Sequence, residues 1–174
     1  MLNDAFEIAL ARVIGHEGTF QNDPADRGNW TGGRCGAGKL VGTKAGISAA
    51  SYPELDIPNL TYEEIKAVYR RDWWDALKMN SYPKMLTFQL FDSAINHGSF
   101  NTNKILQRAL KVKVDGHIGP ISRAALSATE KNDLVFRFLG QRLLFASHIV
   151  TWEIYGKGWA RRIAHNLIAA AEDN

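Results

Sequence analysis

The chain has 174 residues, 45 % of them hydrophobic, which is enough for one good core or for a main lobe carrying a small second one. Lys and Arg outnumber Asp and Glu by 21 to 18 and the sequence pI is near 9.0, an excess that suits an anionic partner without demanding one. A single cysteine, Cys35, excludes an intrachain disulfide, and no apolar run approaches the roughly twenty residues of a membrane-spanning helix.

The N-terminus lacks a basic region followed by an apolar block, and Asp4, Glu7 and Arg12 stand among its apolar residues, so no signal peptide is expected. Asp4 and Glu7 make a capping pair, and Phe6, Leu10, Val13 and Ile14 recur at helical spacing. This predicts a first helix from Ala5 to His16. From Gly18 to Gly46 the period vanishes, and eight of the fifteen glycines fall here with Asn, Asp, Pro and Thr, which is turn and short-hairpin chemistry.

Thr61 and Glu64 form a capping box with Leu60 and Ile65 as a hydrophobic staple, and Val68, Tyr69, Trp73 and Leu77 continue the stripe. A second helix from Tyr62 to Lys78 follows. After Pro83, the residues from Met85 to Ile95 leave almost no polar face, which predicts a central helix packed on several sides and ending near Gly98.

Ile105, Leu106, Ala109 and Leu110 indicate another helix, and DGHIGP is a turn that puts Pro120 at a helix start. Asn132 is expected to cap a long helix reaching Tyr155. The GKG of Gly156 to Gly158 is expected to break it before a last helix marked by Trp159, Ile163, Leu167 and Ala170. The chain thus reads as predominantly helical with one irregular glycine-rich segment.

Glu17 falls eleven, seven and four residues after Phe6, Leu10 and Val13, so a continued helix would put its carboxylate on the core face. Burial beside apolar groups raises a carboxyl pKa, and a glutamic acid still protonated near neutral pH can act as a general acid. The plain alternative is a helix that frays at Gly15 and leaves Glu17 in water. Asp23 and Asp26 follow within nine residues, and two facing carboxylates are the minimum apparatus for cleaving a glycosidic bond. A turn or capping role is the plain alternative for each, and NDPAD supports it strongly for Asp23, which makes Asp26 the better catalytic candidate.

The run from Glu17 to Phe20, then NDPAD, a glycine-rich turn with Thr31, and KAGIS at Lys44 to Ser48 resembles the glycosyl hydrolase 108 family of phage and prophage endolysins. The resemblance implies an α+β, predominantly helical, lysozyme-like fold with a small β-hairpin lobe and a central buried helix. It also implies N-acetylmuramidase activity. The spacing Glu, eight residues, Asp, four residues, Thr resembles the Glu, Asp, Thr triad of other phage lysozymes, which tend to have one more residue before the Thr; that resemblance implies Glu17, Asp26 and Thr31 as the catalytic triad. FDSAINHG from Phe91 and YGKGWARR from Tyr155 resemble the predicted peptidoglycan domain that usually completes the family. The expected division is therefore a catalytic part, 1–90, and a helical peptidoglycan-associated part, 91–174, packed as one compact monomer. Two departures stand out: Thr19 occupies a position where the family commonly has a second glycine, and RCGAGKLVG lengthens the loop.

Trp30 is the best-placed aromatic for stacking on a sugar, ahead of Tyr52, Trp73 and Trp74, of which Trp73 is in phase with the core stripe. Asn96 matches an AVNHG-like motif of the family and is a candidate sugar contact or a helix terminator. The five histidines show no metal-ligand spacing, and no metal or cofactor is expected. A Cys35 and His97 nucleophilic pair is the remote alternative.

Lys157, Arg161, Arg162 and His165 interleave with Trp152, Tyr155 and Trp159, read first as a solvated face, second as contact with the anionic cell envelope, and last as a nucleic-acid patch. The expected enzyme is made in the bacterial cytoplasm and reaches peptidoglycan after the membrane opens. A lytic transglycosylase and a non-catalytic wall-binding module are the rival readings.

Overall fold

The structure, a computed structural model, describes residues 4–14 and 20–173. The chain forms two compact units, Met1–Asp72 and Trp73–Asn174. Among the described residues there are seven α-helices and one two-stranded antiparallel sheet, the mainly helical α+β composition expected from the sequence. No helix among the described residues is long and apolar enough to cross a membrane.

In the first unit, α1 (Ala5–Ile14) buries Phe6, Leu10 and Val13 of the stripe read from the sequence, with Ala9 in place of Ile14, which is only half-buried; His16 lies outside the described residues. Strands β1 (Thr43–Lys44) and β2 (Ile47–Ser48) are joined by Ala45 and Gly46, both at positive φ (46° and 75°). Such a two-residue turn matches the right-handed twist of the strands, but the left-handed region costs Ala45 roughly 1 kcal/mol. The Tyr69 hydroxyl donates to Ala45 O at 2.8 Å in the interior and holds the turn, and Lys44 Nζ donates to the carbonyls of Pro58 and Leu60. KAGIS is thus the hairpin itself.

Helix α2 (Tyr62–Tyr69) begins with the expected capping box: Glu64 N donates to Thr61 Oγ1 at 3.3 Å, and Thr61 N donates to Glu64 Oε2 at 2.8 Å. The α-helix does not run on to Lys78. It widens into a π-helical turn over Arg70–Asp75, whose longer period advances the buried stripe by one residue. Trp74, 1 % exposed, is therefore the packed indole, and Trp73 is only half-buried.

In the second unit, α3 (Lys84–His97) is buried at every residue from Leu86 to Ala94, as its missing polar face predicts. Trp74 meets Phe91 edge to face at 5.2 Å and donates its indole N–H to Asn80 Oδ1. Helices α4 (Ser99–Ala109) and α6 (Lys131–Ser147) pack on α3 and on each other, and α7 (Trp152–Glu172) packs on α6. Pro120 opens α5 (Pro120–Ala128) as expected, and buried Gln107 holds the preceding DGHIG turn by accepting from the amides of Asp115 and Gly116.

Two expectations for the C-terminal third are corrected. The cap of α6 is Glu130, whose carboxylate accepts from Asp133 N at 2.7 Å; Asn132 is already inside the helix. The long helix ends at Ser147, and α7 runs straight through Gly156 and Gly158. A Cβ at residue 156 would stand 2.6 Å from the Trp152 ring, so that glycine permits an indole to lie across the helix and does not end it.

Candidate active site

Of the residues expected to carry catalysis, Glu17 lies outside the described residues, together with His16 and Thr19. Asp26 and Thr31 belong to the glycine-rich segment of the first unit, and the structure shows how each is held.

Asp26 caps a 3-10 turn at Arg27–Asn29. Its Oδ1 accepts from Gly28 N at 2.8 Å, and its Oδ2 accepts from Gln21 Nε2 at 3.0 Å. The carboxylate is solvent-exposed yet fixed at both oxygens, and each oxygen keeps a lone pair for a further donor. The Thr31 hydroxyl accepts from Lys39 N at 2.9 Å, while Thr31 N donates to Lys39 O. Thr31 thereby closes the long loop containing RCGAGK, and its O–H proton remains available to donate.

Asn29, fully buried at 0 % exposure, is the hub that sequence reasoning missed. Its Oδ1 accepts from Thr43 Oγ1 at 2.7 Å and from Gln21 Nε2 at 3.1 Å; its Nδ2 donates to Gln21 Oε1 at 2.7 Å and to Asp23 O at 2.9 Å. One amide thus ties the hairpin strand, the Asp23 turn and the residue that grips Asp26. Asp23 has the turn role expected of it, with Oδ1 accepting from Ala25 N at 2.9 Å. The only sequence signal for Asn29 was a polar residue beside Trp30 in a segment without a period.

Trp30 is half-buried, pairs its backbone with Leu40, and donates its indole N–H to Pro24 O at 3.0 Å. Its N–H is therefore structural, and only the ring face is left for a ligand. Tyr52 donates its hydroxyl to Asp72 Oδ2 at 2.8 Å; burial, then the Asp72 hydrogen bond, push the phenol up to about 12. Cys35 is exposed, with its thiol 3.4 Å from Ala25 O.

In the second unit, Asn96 donates Nδ2 to Asp92 O at 2.8 Å, one turn back in its own helix. Asp92, 1 % exposed, is the centre of a buried charge cluster. Arg142 Nη1 donates to its Oδ2 at 2.5 Å, Arg162 Nε to its Oδ1 at 2.8 Å, and Asn166 Nδ2 to its Oδ2 at 2.8 Å. Burial alone would raise the Asp92 carboxyl, but the two guanidiniums outweigh it and hold the group below the usual carboxylate range. FDSAINHG and YGKGWARR are thereby joined by one ion cluster. The sequence signal was a lone aspartate in a helix with no polar face, since a charge is almost never buried unpaired.

His97 accepts from Arg142 Nε at 3.3 Å through Nε2 and packs edge to face on Phe145 at 5.2 Å. Burial, then the Arg142 charge, bring its pKa down to about 4. Between pH 6.5 and 4 the unfolded chain binds a proton that the folded chain excludes. Folding stability should therefore fall by about 3 kcal/mol as pH drops through that window, 2.5 units at 1.36 kcal/mol each. Urea melts from pH 7 to 4 test this. His97→Gln should flatten the slope, and an unchanged slope would show that His97 is not its source.

The family model of glycosyl hydrolase 108 matches residues 10–98, a span that contains Glu17, Asp26, Thr31, Trp30 and Asn96. No curated protein matches the chain. Among solved structures, the chain is similar to one described as the structure of Brucella abortus SagA, with a TM-score of 0.77 at 24 % identity over 96 % of this chain and 94 % of that one. That likeness concerns the fold alone, which is the expected lysozyme-like α+β class. With its N-terminal half matched by the family model, the chain belongs to the glycosyl hydrolase 108 family.

Proposed function

We propose that the protein is a monomeric endolysin that hydrolyses the β-1,4 bond between N-acetylmuramic acid and N-acetylglucosamine in peptidoglycan. The observation that carries this reading is the Asp26 carboxylate, exposed to solvent yet fixed at both oxygens, five residues before Thr31 and inside the span matched by a glycosyl hydrolase family. Such a group is built to hold something from solvent, and the hydrolysis of a glycoside needs a held water.

In this reading Glu17 protonates the leaving oxygen. Asp26 accepts a proton from the attacking water, and the Thr31 hydroxyl donates to that water's second lone pair, fixing its oxygen towards the anomeric carbon. Phe6, Leu10 and Val13 are each 0 % exposed, and the sequence spacing of Glu17 continues their phase, which supports its choice as the general acid. Trp30 offers its ring face to a sugar and Asn96 its side-chain carbonyl. Residues 1–90 supply the chemistry and 91–174 the peptidoglycan-associated part. The enzyme acts on the wall after synthesis in the cytoplasm and opening of the membrane, with the basic C-terminal face meeting the anionic envelope.

A water held by Asp26 on the face opposite Glu17 gives inversion. Proton NMR during the first turnovers on a soluble muroglycan should show the inverted anomer first; the retained anomer would reject the water-positioning role. Gln21→Leu releases one Asp26 oxygen and also removes two of the hydrogen bonds that hold buried Asn29 beneath it. It should lower kcat about tenfold with little change in KM, because one lost orienting hydrogen bond is worth on the order of 1.4 kcal/mol in the transition state. Unchanged kcat would remove Asp26 from the mechanism.

A further inference from the structure

The second unit contains a cavity of about 220 Å³ that none of the proposed catalytic residues lines. Its floor is aliphatic: Met79, Leu90 and Ala94 are 2 %, 2 % and 0 % exposed. Its wall carries two cations, Lys78 and Arg123, with the Tyr82 hydroxyl and Asn103. Neither cation is held by a carboxylate among the described residues, so both are free to meet a ligand.

Three details make this more than a packing gap. Lys78 sits at φ 53°, ψ 45°, a left-handed conformation that glycine or asparagine adopts more readily, and its carbonyl accepts from Ser81 N at 2.8 Å. A long cation is thus kept at a strained position on the wall. Tyr82 and Arg123 both line the cavity, so it carries a hydroxyl donor as well as a guanidinium. Asn103 donates Nδ2 to Gly116 O at 2.9 Å, which leaves its carbonyl as the acceptor on this wall.

Two cations, one hydroxyl donor and one amide acceptor over a small aliphatic floor describe a receptor for a carboxylate on a short methyl-bearing body with a neighbouring N–H. No tryptophan lines the cavity and its volume is below the roughly 300–1,000 Å³ of sites for larger ligands, so it fits a substituent that enters while any sugar ring attached to it stays outside.

We propose that this cavity binds a methyl-bearing carboxylate of the bacterial wall. Two wall groups share that chemistry: the alanyl carboxylate that ends a stem peptide, and the lactyl carboxylate of a muramic acid whose stem peptide has been removed. The choice of a wall ligand rests on the proposed function; the cavity's preference for a carboxylate does not. Binding here would let the enzyme sense wall substituents at a second point from the scissile bond.

The test is a titration of the full ¹⁵N-labelled chain, followed by amide shifts, with three probes: Nα-acetyl-Lys-D-Ala-D-Ala, the same peptide as its C-terminal amide, and free N-acetylmuramic acid. The expected result is saturable shifts at the cavity residues with at least one of the two carboxylates, which identifies the source. The amide should bind at least about tenfold more weakly, and Arg123→Gln, at an exposed site, should weaken the carboxylate by a similar factor. Equal binding of peptide and amide, or no shift with either carboxylate, overturns the proposal. Glu17→Gln should bind the probes as the wild type does. Binding without release of reducing ends from wall would leave this site standing and reject the proposed function, and release of ends without binding would do the reverse.

Discussion

Glu17→Gln is expected to lower the rate of wall hydrolysis by about 10³-fold or more while leaving the helical circular dichroism and the melting temperature nearly unchanged. A positioned general acid contributes about 10²–10⁴-fold, and glutamine keeps the shape of the side chain while removing its proton. Phe6, Leu10 and Val13 of α1 are all fully buried, and in the sequence Glu17 is the next residue at their spacing. Glutamine has no proton to give at any pH, so this variant should lose activity at every pH rather than shift its optimum. A turbidity assay on purified sacculi reads the rate. Comparable lysis by the variant would remove Glu17 from the chemistry.

Asp92→Ala is expected to be the most destabilising single substitution in the second unit. It leaves the Arg142 guanidinium, in a residue 1 % exposed, and its neighbour Arg162 without their shared anion. Removing one member of a buried ion cluster typically costs about 3–5 kcal/mol, because the remaining charge stays buried without its counter-ion. For a chain of this size that corresponds to a fall of roughly 10 °C in melting temperature. Asp92→Ala combined with Arg142→Met should recover part of the loss, since the more deeply buried cation is then gone too. A melting temperature within about 2 °C of the wild type for Asp92→Ala alone would mean that solvent reaches the cluster.

Local signals in the sequence were reliable where one element decides the outcome. The buried stripe of α1, the Thr61 and Glu64 capping box, the all-round burial of α3 and the start of α5 at Pro120 each depend on residues within a few positions of one another. Illegible features depend on distant partners or on what a residue packs against. Gly156 and Gly158 look like a helix break until the Trp152 ring is seen lying over residue 156. A π-helical turn shifts burial from Trp73 to Trp74, and no period read at 3.6 residues per turn anticipates that. Asp92 meets Arg142 and Arg162 across 50 and 70 residues of chain, and Asn29 reaches Thr43 across 14.

The candidate site divides in the same way. Periodicity singled out Glu17 and turn chemistry set Asp23 aside, and the structure gives Asp23 that turn role. The choice of Asp26 and Thr31 came from the family resemblance. Neither residue type nor spacing revealed that Gln21 and Asn29 hold the Asp26 carboxylate, because an amide in a polar loop looks like any other until its partners are known.

The most direct test of hydrolysis by a held water is digestion of purified peptidoglycan in H₂¹⁸O followed by mass spectrometry of the released muropeptides. Wild-type enzyme should give muramic acid at the new reducing end with one ¹⁸O incorporated per bond cut, and Glu17→Gln should release almost none. Unlabelled products ending in 1,6-anhydromuramic acid would contradict the account and identify a lytic transglycosylase.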